Sequence, residues 1–560
     1  MNSKGYAQLA FWPWNWCKGR LQADNCIEEN LIELVHDLLL TTAVRSNGEA
    51  LTYQGKRLSY PELAEQVLAC SQGLLATGLQ RSDRVGVYLE KRFETVTAVF
   101  GAATAGGVFV PVNPLLKPEQ VAYILADCNV RTLVTSAERL KLLIPALEAH
   151  CPDLRTIVVV DSGNETPSSE RWEILTWAQL LAVRSSLPMH DVIDGDMAAI
   201  LYTSGSTGKP KGVVLSHRNI VAGAKSVAQY LELTTSDRIL SVLPLSFDYG
   251  LNQITTSFLV GGTAVLMNYL FPRDVIKAVA EHRITGLAAV PPLWVQLAQL
   301  PWPESAVDHL RYITNSGGHM PTPTLNALRS ALPKTKPFLM YGLTEAFRST
   351  YLSPDQVDKR PDSMGKAIPN AEILVVREDG TVCAANEPGE LVHRGVHVSL
   401  GYWNDVEKTA ERFKPAPGQL GGLVIPELVV WSGDTVRRDD EGYLYFVSRR
   451  DEMIKTSGYR VSPTEVEEVI YGTGLVAEVA AFGVPHPTLG QAIVVVVMNK
   501  PSTELAPGTL LALAKRELPA FMVPHKILTR AESLPRNPNG KIDRKALAQE
   551  VQDMFQGAPA

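Results

Sequence analysis

The chain has 560 residues, enough for roughly two to four domains, and 45% apolar with 20% charged residues is typical of a globular enzyme. A net charge of −6 at pH 7 provides no basic surface of the kind that nucleic-acid-binding proteins carry. The longest apolar stretch, residues 97–112, is interrupted by three glycines, and we interpret it as a buried helix followed by a strand. We therefore expect no nucleic-acid partner and no membrane span.

Aromatic side chains are concentrated in the first 16 residues, at Tyr6, Phe11, Trp12, Trp14 and Trp16. Two interpretations stay open: a segment that anchors at an interface or docks a partner, and an arm that packs onto the body of the same chain. The lack of an accompanying basic cluster favours the second. No basic region precedes an apolar core, and the six cysteines are scattered without a CxxC pair, so we expect a cytoplasmic protein with free thiols.

Short apolar runs alternate with amphipathic segments through about the first 440 residues. Residues 84–89, 108–112 and 132–134 are typical of strands, whereas residues 60–77 have the pattern of a helix. This alternation predicts α/β layers with largely parallel sheets.

A run of small hydroxyl residues and glycines follows one of these apolar runs and ends in a lysine. Glycine allows backbone N–H groups to approach an anion, hydroxyls add donors and lysine adds charge, so the run predicts a phosphate-binding loop. It is not a Walker loop, because Thr203 stands where that motif needs its first glycine and Pro210 follows the lysine. The residues of this loop are Thr203, Ser204, Gly205, Ser206, Thr207, Gly208 and Lys209.

The loop resembles the phosphate-binding segment of the adenylate-forming superfamily, which includes acyl-CoA synthetases, peptide-synthetase adenylation domains and firefly luciferase. A mobile linker can have the same composition, but further matches follow in the family's order. The resemblance spans residues 51–547. It implies ATP and Mg²⁺ as cofactors and a carboxylic acid as substrate.

The segment LPLSFDYGLNQ, residues 243–253, indicates which acid is bound. It lacks the histidine common here in fatty-acyl and aryl ligases, and Phe247-Asp248 resembles the pair with which amino-acid adenylation domains bind the substrate's α-ammonium group. A buried carboxylate needs such a cationic partner. Alternatively, Asp248 pairs with Arg348 and the acid is neutral. The same resemblance implies a pocket, too polar for a long alkyl chain, that is lined by Asn252, Thr314, Ser316, Met340 and Arg348.

Two further segments resemble the family's nucleotide motifs. In SGGHM, the turn would let the backbone reach the adenine edge; in YGLTE, the resemblance implies a tyrosine stacked on adenine, a threonine contacting phosphate and a glutamate holding Mg²⁺. A flat ring suits a base, and a hard carboxylate oxygen suits Mg²⁺. The residues concerned are Gly317, Gly318, Tyr341, Gly342, Thr344 and Glu345.

Residues 389–405 resemble a core segment of the family and contain His393 and His397. Their spacing is that of a zinc pair on a helix, but the strand-like pattern predicts two histidines on one face of a strand and no metal.

Asp434 matches the aspartate that accepts both ribose hydroxyls, as an ionised carboxylate can. Arg449 matches an arginine that also reaches the ribose.

The charged segment 448–451 is the expected domain boundary. We predict a large multi-sheet α/β domain over residues 1–447 and a small mobile α+β domain over residues 448–560, with a hinge near Asp451. The family's usual glycine before the hinge arginine is Ser448 here, which is a departure. Gly458 matches the glycine beside which a phosphopantetheine arm slides.

Lys541, in the turn of PRNPNGKIDRKAL, matches the family lysine that bridges the substrate carboxylate and the α-phosphate. A fixed cation there offsets repulsion between two anions and stabilises the transition state. No carrier-protein element follows it, so we expect CoA or a separate carrier protein as thiol acceptor.

The favoured function is ATP-dependent adenylation of a small acid, with an amino acid preferred, followed by transfer to a phosphopantetheine thiol. An acyl-CoA ligase for a neutral acid is the alternative within the class. A luciferase-type monooxygenase is more distant, because nothing in the sequence selects for it. A non-catalytic scaffold is disfavoured by the joint presence of Glu345, Asp434 and Lys541.

Overall fold

The structure is a computed structural model that describes residues 32–161, 169–183, 185, 188–203, 210–418, 422, 424–449, 452–456, 459–486, 489–500, 507–518, 520–537 and 540–555. The aromatic N-terminal segment, residues 204–209, Asp451 and Gly458 lie outside these ranges. The chain divides into two compact units. The first contains the described residues of 32–203, Pro210–Asn268 and Ser399–Asn404, and the second contains those of Tyr269–Val398 and 405–555.

The first unit is built of alternating strands and helices. In chain order they are α1 (Asp37–Arg45), β1 (Glu49–Tyr53), β2 (Lys56–Ser59), α2 (Tyr60–Ala76), β3 (Arg84–Tyr88), α3 (Phe93–Thr104), β4 (Val108–Pro111), α4 (Pro118–Asp127), β5 (Val130–Thr135), α5 (Ala137–His150), β6 (Thr156–Val159), β7 (Glu173–Thr176), α6 (Trp177–Ala182), β8 (Met197–Thr203), β9 (Lys211–Ser216), α7 (His217–Tyr230), β10 (Arg238–Ser241), α8 (Asp248–Val260) and β11 (Thr263–Leu266).

Parallel pairing dominates this unit, as the alternation predicted. One sheet has the order β7-β6-β5-β3-β4-β8-β9 and is parallel except where β8 meets β9. In the other group of strands, β10, β11 and β1 are parallel and β2 is antiparallel to β1. Strands covered on both faces are continuously apolar, which is why three short apolar runs marked β3, β4 and β5 correctly.

Local capping explains where the predicted helix begins. Ser59 accepts a hydrogen bond from the main-chain N–H of Glu62, and the Glu62 carboxylate accepts one in return from the N–H of Ser59. This reciprocal pair satisfies two N–H groups that a helix start leaves without partners, so α2 begins at Tyr60.

The apolar stretch of residues 97–112 is α3 followed by β4, as expected.

The second unit continues with more strands than helices. Its elements are α9 (Pro272–Glu281), β12 (Gly286–Ala289), α10 (Pro291–Leu297), α11 (Glu304–Val307), β13 (Tyr312–Asn315), α12 (Thr322–Ala331), β14 (Lys336–Tyr341), β15 (Thr350–Leu352), β16 (Ser363–Ala367), β17 (Ala371–Val376), β18 (Gly389–Gly395), α13 (Val406–Arg412), β19 (Phe413–Pro415), β20 (Leu428–Arg438), β21 (Leu444–Arg449), β22 (Ile454–Thr456), β23 (Tyr459–Val461), α14 (Pro463–Gly472), β24 (Val476–His486), β25 (Gly490–Asn499), α15 (Pro507–Glu517), β26 (Lys526–Arg530) and α16 (Arg544–Glu550), with short 3₁₀ turns at Thr344–Ala346, Pro354–Gln356 and Ala520–Met522.

Two sheets form this unit. Parallel strands β12, β13 and β14 are followed by antiparallel β15, β16, β21, β20, β18 and β17, with β19 beside β20. The C-terminal sheet has the order β23-β22-β25-β24, with β26 parallel to β25, and its own apolar core includes Val466, Ile470, Val495 and Leu510. The α/β class, with several sheets and a small C-terminal α+β part, is confirmed. The boundary at residue 448 and its mobility stay predictions.

Three smaller expectations concern the cysteines, the lengths of the helices and the histidine pair. Among the described residues, Cys70, Cys128, Cys151 and Cys383 are buried and form no disulfide, so the expectation of free thiols is confirmed for these four. Within the same residues, none of the helices has the length and apolar character that crossing a bilayer requires. The placement of His393 and His397 on one strand face was wrong, because β18 ends at Gly395 with φ of 140° and His397 follows in a turn.

Candidate active site

The candidate phosphate loop connects the two strands of a hairpin in the first unit. β8 and β9 pair antiparallel up to the loop, with Tyr202 opposite Gly212 and Thr203 opposite Lys211. A side chain at Gly212 would have its Cβ 2.7 Å from Cγ2 of Ile200, so only glycine fits this close approach. Residues 204–209, which carry most of the predicted loop, lie outside the described part of the chain.

A second segment of the chain holds the base of this hairpin. Trp403 donates its main-chain N–H to the Gly212 carbonyl at 2.7 Å, and its indole N–H donates to the Asp127 carbonyl at 2.9 Å. The Tyr202 hydroxyl donates to the Asp127 carboxylate at 2.5 Å. The ammonium of Lys211 lies 5.5 Å from the centre of the Tyr402 ring. The base of the loop is therefore held on both strands by partly buried polar contacts.

The predicted acid-binding residues lie at the start of α8, also in the first unit. Phe247 occupies the N-cap position and Asp248 is the first helical residue, where the helix N-terminus favours a negative charge. Asp248 and Asn252 are each only 4% exposed. The turn before the helix is tight, because a Cβ at Gly250 would lie 2.0 Å from the Pro244 carbonyl oxygen.

The predicted nucleotide segments follow adjacent parallel strands in the second unit. β13 and β14 pair in parallel, so Ser316 and Tyr341 lie at the same edge, where α/β sheets bind ligands. After β13, Gly317 has φ of 82°, and the amide of Asn315 donates to the Gly318 carbonyl at 2.9 Å. Because the two glycines of this turn have no side chains, the main chain is accessible at this edge of the sheet.

The YGLTE segment forms a closed loop between β14 and β15. The N–H of Ser349 donates back to the Tyr341 carbonyl at 3.3 Å, and the 3₁₀ turn Thr344–Ala346 lies between. Phe347 follows this turn with φ of 51°, unusual for a bulky residue, and Arg348 is buried with its guanidinium carbon 5.5 Å from the Phe347 ring centre. Hydroxyl and carboxylate oxygens of Thr344 and Glu345 stand in sequence in this loop, the donor type that Mg²⁺ prefers.

The structure brings Tyr341, Asp434 and Arg449 together. Asp434 is 2% exposed, and its Oδ2 accepts a hydrogen bond from the Tyr341 hydroxyl at 2.5 Å. Arg449 lies opposite Asp434 in the β20–β21 register, with its Nε 3.0 Å from Oδ1. Burial, and secondly the Asp434 charge, raise the pKa of Tyr341 well above its ordinary value, so the tyrosine stays a neutral donor.

Two residues that the sequence did not single out hold Asp434 in place. Ser432 accepts the main-chain N–H of Asp434 at 3.1 Å, and Glu390 accepts that of Gly433 at 2.9 Å. Gly433 has φ of 72°, a conformation that favours glycine and turns the strand locally. The sequence signals were that Glu390 lies in the segment 389–405 and that Ser432 lies two residues before Asp434.

The paired histidines are a buried structural element. His393 and His397 are fully buried, with ring centres 5.9 Å apart, and Nδ1 of His393 lies 3.0 Å from the Ser349 hydroxyl. Burial, and secondly His397, lower the pKa of His393 to about 3, so it is neutral at physiological pH. Among the described residues there is no group of three side chains that could hold a metal.

Lys541 lies in a tight turn of the C-terminal part, as the sequence predicted. The N–H of Lys541 donates to the Asn537 side-chain oxygen at 3.0 Å, and the Asn537 N–H donates to the Lys541 carbonyl at 2.8 Å. Gly540 has φ of 79°, and the Lys541 side chain is exposed. The turn therefore fixes the backbone of an exposed lysine.

The chain belongs to the AMP-binding enzyme family, whose model matches residues 41–403, and residues 465–541 match the AMP-binding enzyme C-terminal domain. The predicted membership of the adenylate-forming superfamily is thereby confirmed. The chain is 29% identical to a linear gramicidin synthase protein of Brevibacillus parabrevis over 89% of its own length, but spans only 9% of that protein. It is 27% identical to a long-chain-fatty-acid–CoA ligase of Bacillus subtilis, covering 92% of this chain and 94% of the ligase.

Solved structures of adenylate-forming enzymes have the same fold. An ATP-bound MatB from Rhodopseudomonas palustris superposes with a TM-score of 0.82 at 24% identity, covering 94% of this chain and 100% of the other. The o-succinylbenzoate coenzyme A synthetase MenE from Bacillus subtilis, solved with ATP and magnesium ion, superposes with a TM-score of 0.76 at 25% identity, covering 92% and 99%.

Proposed function

We propose that the protein is an AMP-forming acid–thiol ligase. In the first half-reaction, a carboxylate oxygen of the acid attacks the α-phosphorus of ATP, and pyrophosphate leaves. In the second, a phosphopantetheine thiol attacks the acyl carbon, and AMP leaves. The observation that carries this proposal is the contact of Tyr341 and Arg449 with the buried carboxylate of Asp434, at the edge where Ser316–Gly318 supplies backbone.

ATP with Mg²⁺ is the cofactor that these residues suit. Asp434 offers two carboxylate oxygens of the kind a vicinal diol donates to, and Tyr341 offers a flat ring beside them. Mg²⁺ needs only one or two carboxylates in addition to substrate phosphates, so Glu345 with the Thr344 hydroxyl is a sufficient protein contribution. The loop of residues 203–209 would hold phosphate oxygens. The assignments of these residues are proposals based on the family resemblance.

The acid is proposed to be small and to carry an amino group. The support is the buried carboxylate of Asp248, followed four residues later by the buried amide of Asn252 on the same helix face. A cationic substrate group would compensate the charge of that carboxylate, whereas a long alkyl chain would offer neither polar group a hydrogen bond. An acyl-CoA ligase for a neutral acid remains the alternative, with Asp248 paired to Arg348.

The thiol acceptor is proposed to be CoA or a carrier protein. The match to a long-chain-fatty-acid–CoA ligase supports CoA, and the match to a peptide synthase keeps a carrier protein as the other candidate. Gly458 and Asp451, to which the resemblance gives the pantetheine and hinge roles, lie outside the described residues.

Pyrophosphate exchange against a panel of amino acids, fatty acids and aryl acids tests the proposal. Exchange that depends on one acid, on ATP and on Mg²⁺ would support the ligase. Exchange with an amino acid but not with its deaminated analogue would support the amino-acid substrate, and the reverse would support the alternative. No exchange with any acid, in a protein that still binds ATP, would contradict a ligase and favour a scaffold.

Asp434→Asn is expected to raise the KM for ATP about tenfold while leaving the KM for the acid within twofold. The neutral amide keeps the size of the side chain but accepts weaker hydrogen bonds than a carboxylate, by about 1–1.5 kcal/mol. The native enzyme should prefer ATP over 2′-deoxyATP, and the variant should lose most of that preference. Steady-state pyrophosphate exchange with both nucleotides measures this.

The matched control is Tyr341→Phe, which removes the hydroxyl bonded to Asp434 and keeps the ring. We expect it to retain the preference for ATP over 2′-deoxyATP. If both variants lost that preference equally, the contact between Tyr341 and Asp434, and not recognition of the ribose, would explain the effect.

A further inference from the structure

Lys91 is a buried charged residue that none of the matched motifs includes. It follows β3, on the connection to α3, and is 7% exposed. Its ammonium donates a hydrogen bond to the main-chain carbonyl of Val242 at 3.1 Å. Within the described part of the chain, no carboxylate lies within ion-pair distance of it.

The backbone of Lys91 is held as firmly as its side chain. Its N–H donates to Oδ1 of Asn268 at 3.2 Å, and its carbonyl accepts the Asn268 amide N–H at 2.8 Å. Val242 directly follows β10, and Asn268 lies just beyond β11, its parallel neighbour. Lys91 therefore joins the connection after β3 to the carboxyl ends of two strands of the other group in the first unit, the edge at which such sheets bind ligands.

Val242 begins the turn that leads to the predicted acid-binding residues. Within this turn the N–H of Phe247 donates to the Pro244 carbonyl at 3.1 Å, and the N–H of Gly250 donates to the Phe247 carbonyl at 2.9 Å. The close approach of Gly250 to Pro244 leaves the turn no room to shift against α8. The Val242 carbonyl thus lies at the start of a short hydrogen-bonded turn that ends at Phe247 and Asp248.

Stability alone does not explain a lysine here. Burial lowers the pKa of Lys91 to about 8, so the ammonium form predominates at pH 7 although its surroundings disfavour the charge. A buried charge without an ionic partner costs folding free energy, and an apolar side chain of similar length would avoid that cost. Lys91 costs folding free energy and contacts the segment that leads to the predicted acid-binding residues. This combination indicates a functional constraint.

We propose that Lys91 is a positioning residue for the acid pocket: its buried ammonium holds the Val242 carbonyl and thereby fixes the turn that places Phe247 and Asp248 at the start of α8. The proposal rests on the proposed function, because the acid-binding role of Phe247 and Asp248 does.

Lys91→Met keeps the length of the side chain and removes the donor. We expect it to raise the KM for the acid about tenfold to a hundredfold, the scale of losing a hydrogen bond from a charged donor, with the KM for ATP within twofold. The melting temperature at pH 7 should fall by no more than a few degrees, because the lost hydrogen bond and the removed buried charge act in opposite directions. Lys91→Arg, which can still donate to the carbonyl, should restore most of the affinity for the acid.

The matched control is Lys225→Met. The Lys225 ammonium also donates to a main-chain carbonyl in the first unit, that of Ile32 at 2.9 Å, but away from the turn after β10. We expect this variant to leave both KM values within twofold. Equal changes in the two KM values for Lys91→Met, or a lower melting temperature with unchanged KM values, would overturn the proposal.

Hydrogen exchange followed by mass spectrometry tests the positioning without any substrate. In Lys91→Met, amides of residues 243–250 should exchange at least several-fold faster, whereas in Lys225→Met they should not. Unchanged exchange in Lys91→Met would overturn the proposal even if the ligase activity were established. Faster exchange in a protein that activates no acid would support the anchoring by Lys91 and contradict the proposed function instead.

Discussion

Lys541→Ala is expected to slow formation of the acyl-adenylate by about 10²–10³-fold, the scale of losing one key electrostatic group in a transition state. Two anions must meet in that step, and the lysine is the proposed cation between them. Transfer of a pre-formed adenylate to the thiol should keep most of its rate, because the phosphate is then the leaving group and the first step is already complete. Pyrophosphate exchange measures the first half-reaction, and thioester formation from synthetic adenylate measures the second.

Lys545→Ala is the matched control for this prediction. Lys545 is an exposed lysine on α16, four residues further along the chain, so its removal changes the net charge equally. The melting temperatures of both variants should stay within a few degrees of that of the native protein, because both side chains are exposed. An equal loss in both half-reactions of Lys541→Ala would remove the lysine from its assigned step.

Asp248→Ala should lower kcat/KM for the true amino-bearing substrate by roughly two to four decades. A substrate ammonium would then be stranded in a pocket without its counter-charge, and breaking a buried ion pair from one side costs about 3–5 kcal/mol. The native enzyme should have a low kcat/KM for the deaminated analogue, and Asp248→Ala should lower that value only slightly further. Measuring kcat/KM for both acids with both enzymes decides between an amino acid and a neutral acid.

Asp248 also begins a helix, so its removal has a structural effect that needs its own control. Asp274→Ala provides it, because Asp274 lies in the first turn of α9 and accepts the Phe271 N–H at 3.1 Å. Each variant should lose about 0.5–2 kcal/mol of stability by losing a carboxylate at a helix start. Equal losses of kcat/KM for both acids in Asp248→Ala, with a much lower melting temperature, would favour pairing with Arg348 and the acyl-CoA ligase.

The sequence predicted the sheets of the first unit well for a physical reason. Parallel strands that are covered on both faces must be continuously apolar. The runs at β3, β4 and β5 could therefore be identified from the sequence alone. The position of His397 could not be predicted, because β18 ends where Gly395 adopts φ of 140°. The conformation of a single glycine leaves no periodic pattern in the sequence.

The candidate site was predicted as a set of motif positions, and its contacts were not. That Tyr341 donates to Asp434 depends on two strands separated by more than 90 residues. Lys91 is the clearest omission: in sequence it is one charged residue among Glu90, Arg92 and Glu94, and a run of charges is usually solvated. Its burial and its hydrogen bonds to Val242 and Asn268 distinguish it from its neighbours, and these appear only in the folded chain.

The hairpin that carries the candidate phosphate loop is stabilised by contacts outside residues 204–209. Its strands are paired up to Thr203 and Lys211, and Trp403 and Asp127 secure its base from outside the loop. The amino acids between those ends can therefore be exchanged without removing any of these contacts. If the loop binds the phosphates of ATP as proposed, divergent copies of such a chain can lose nucleotide binding while they remain folded, and a designer can graft another loop onto the same two strands.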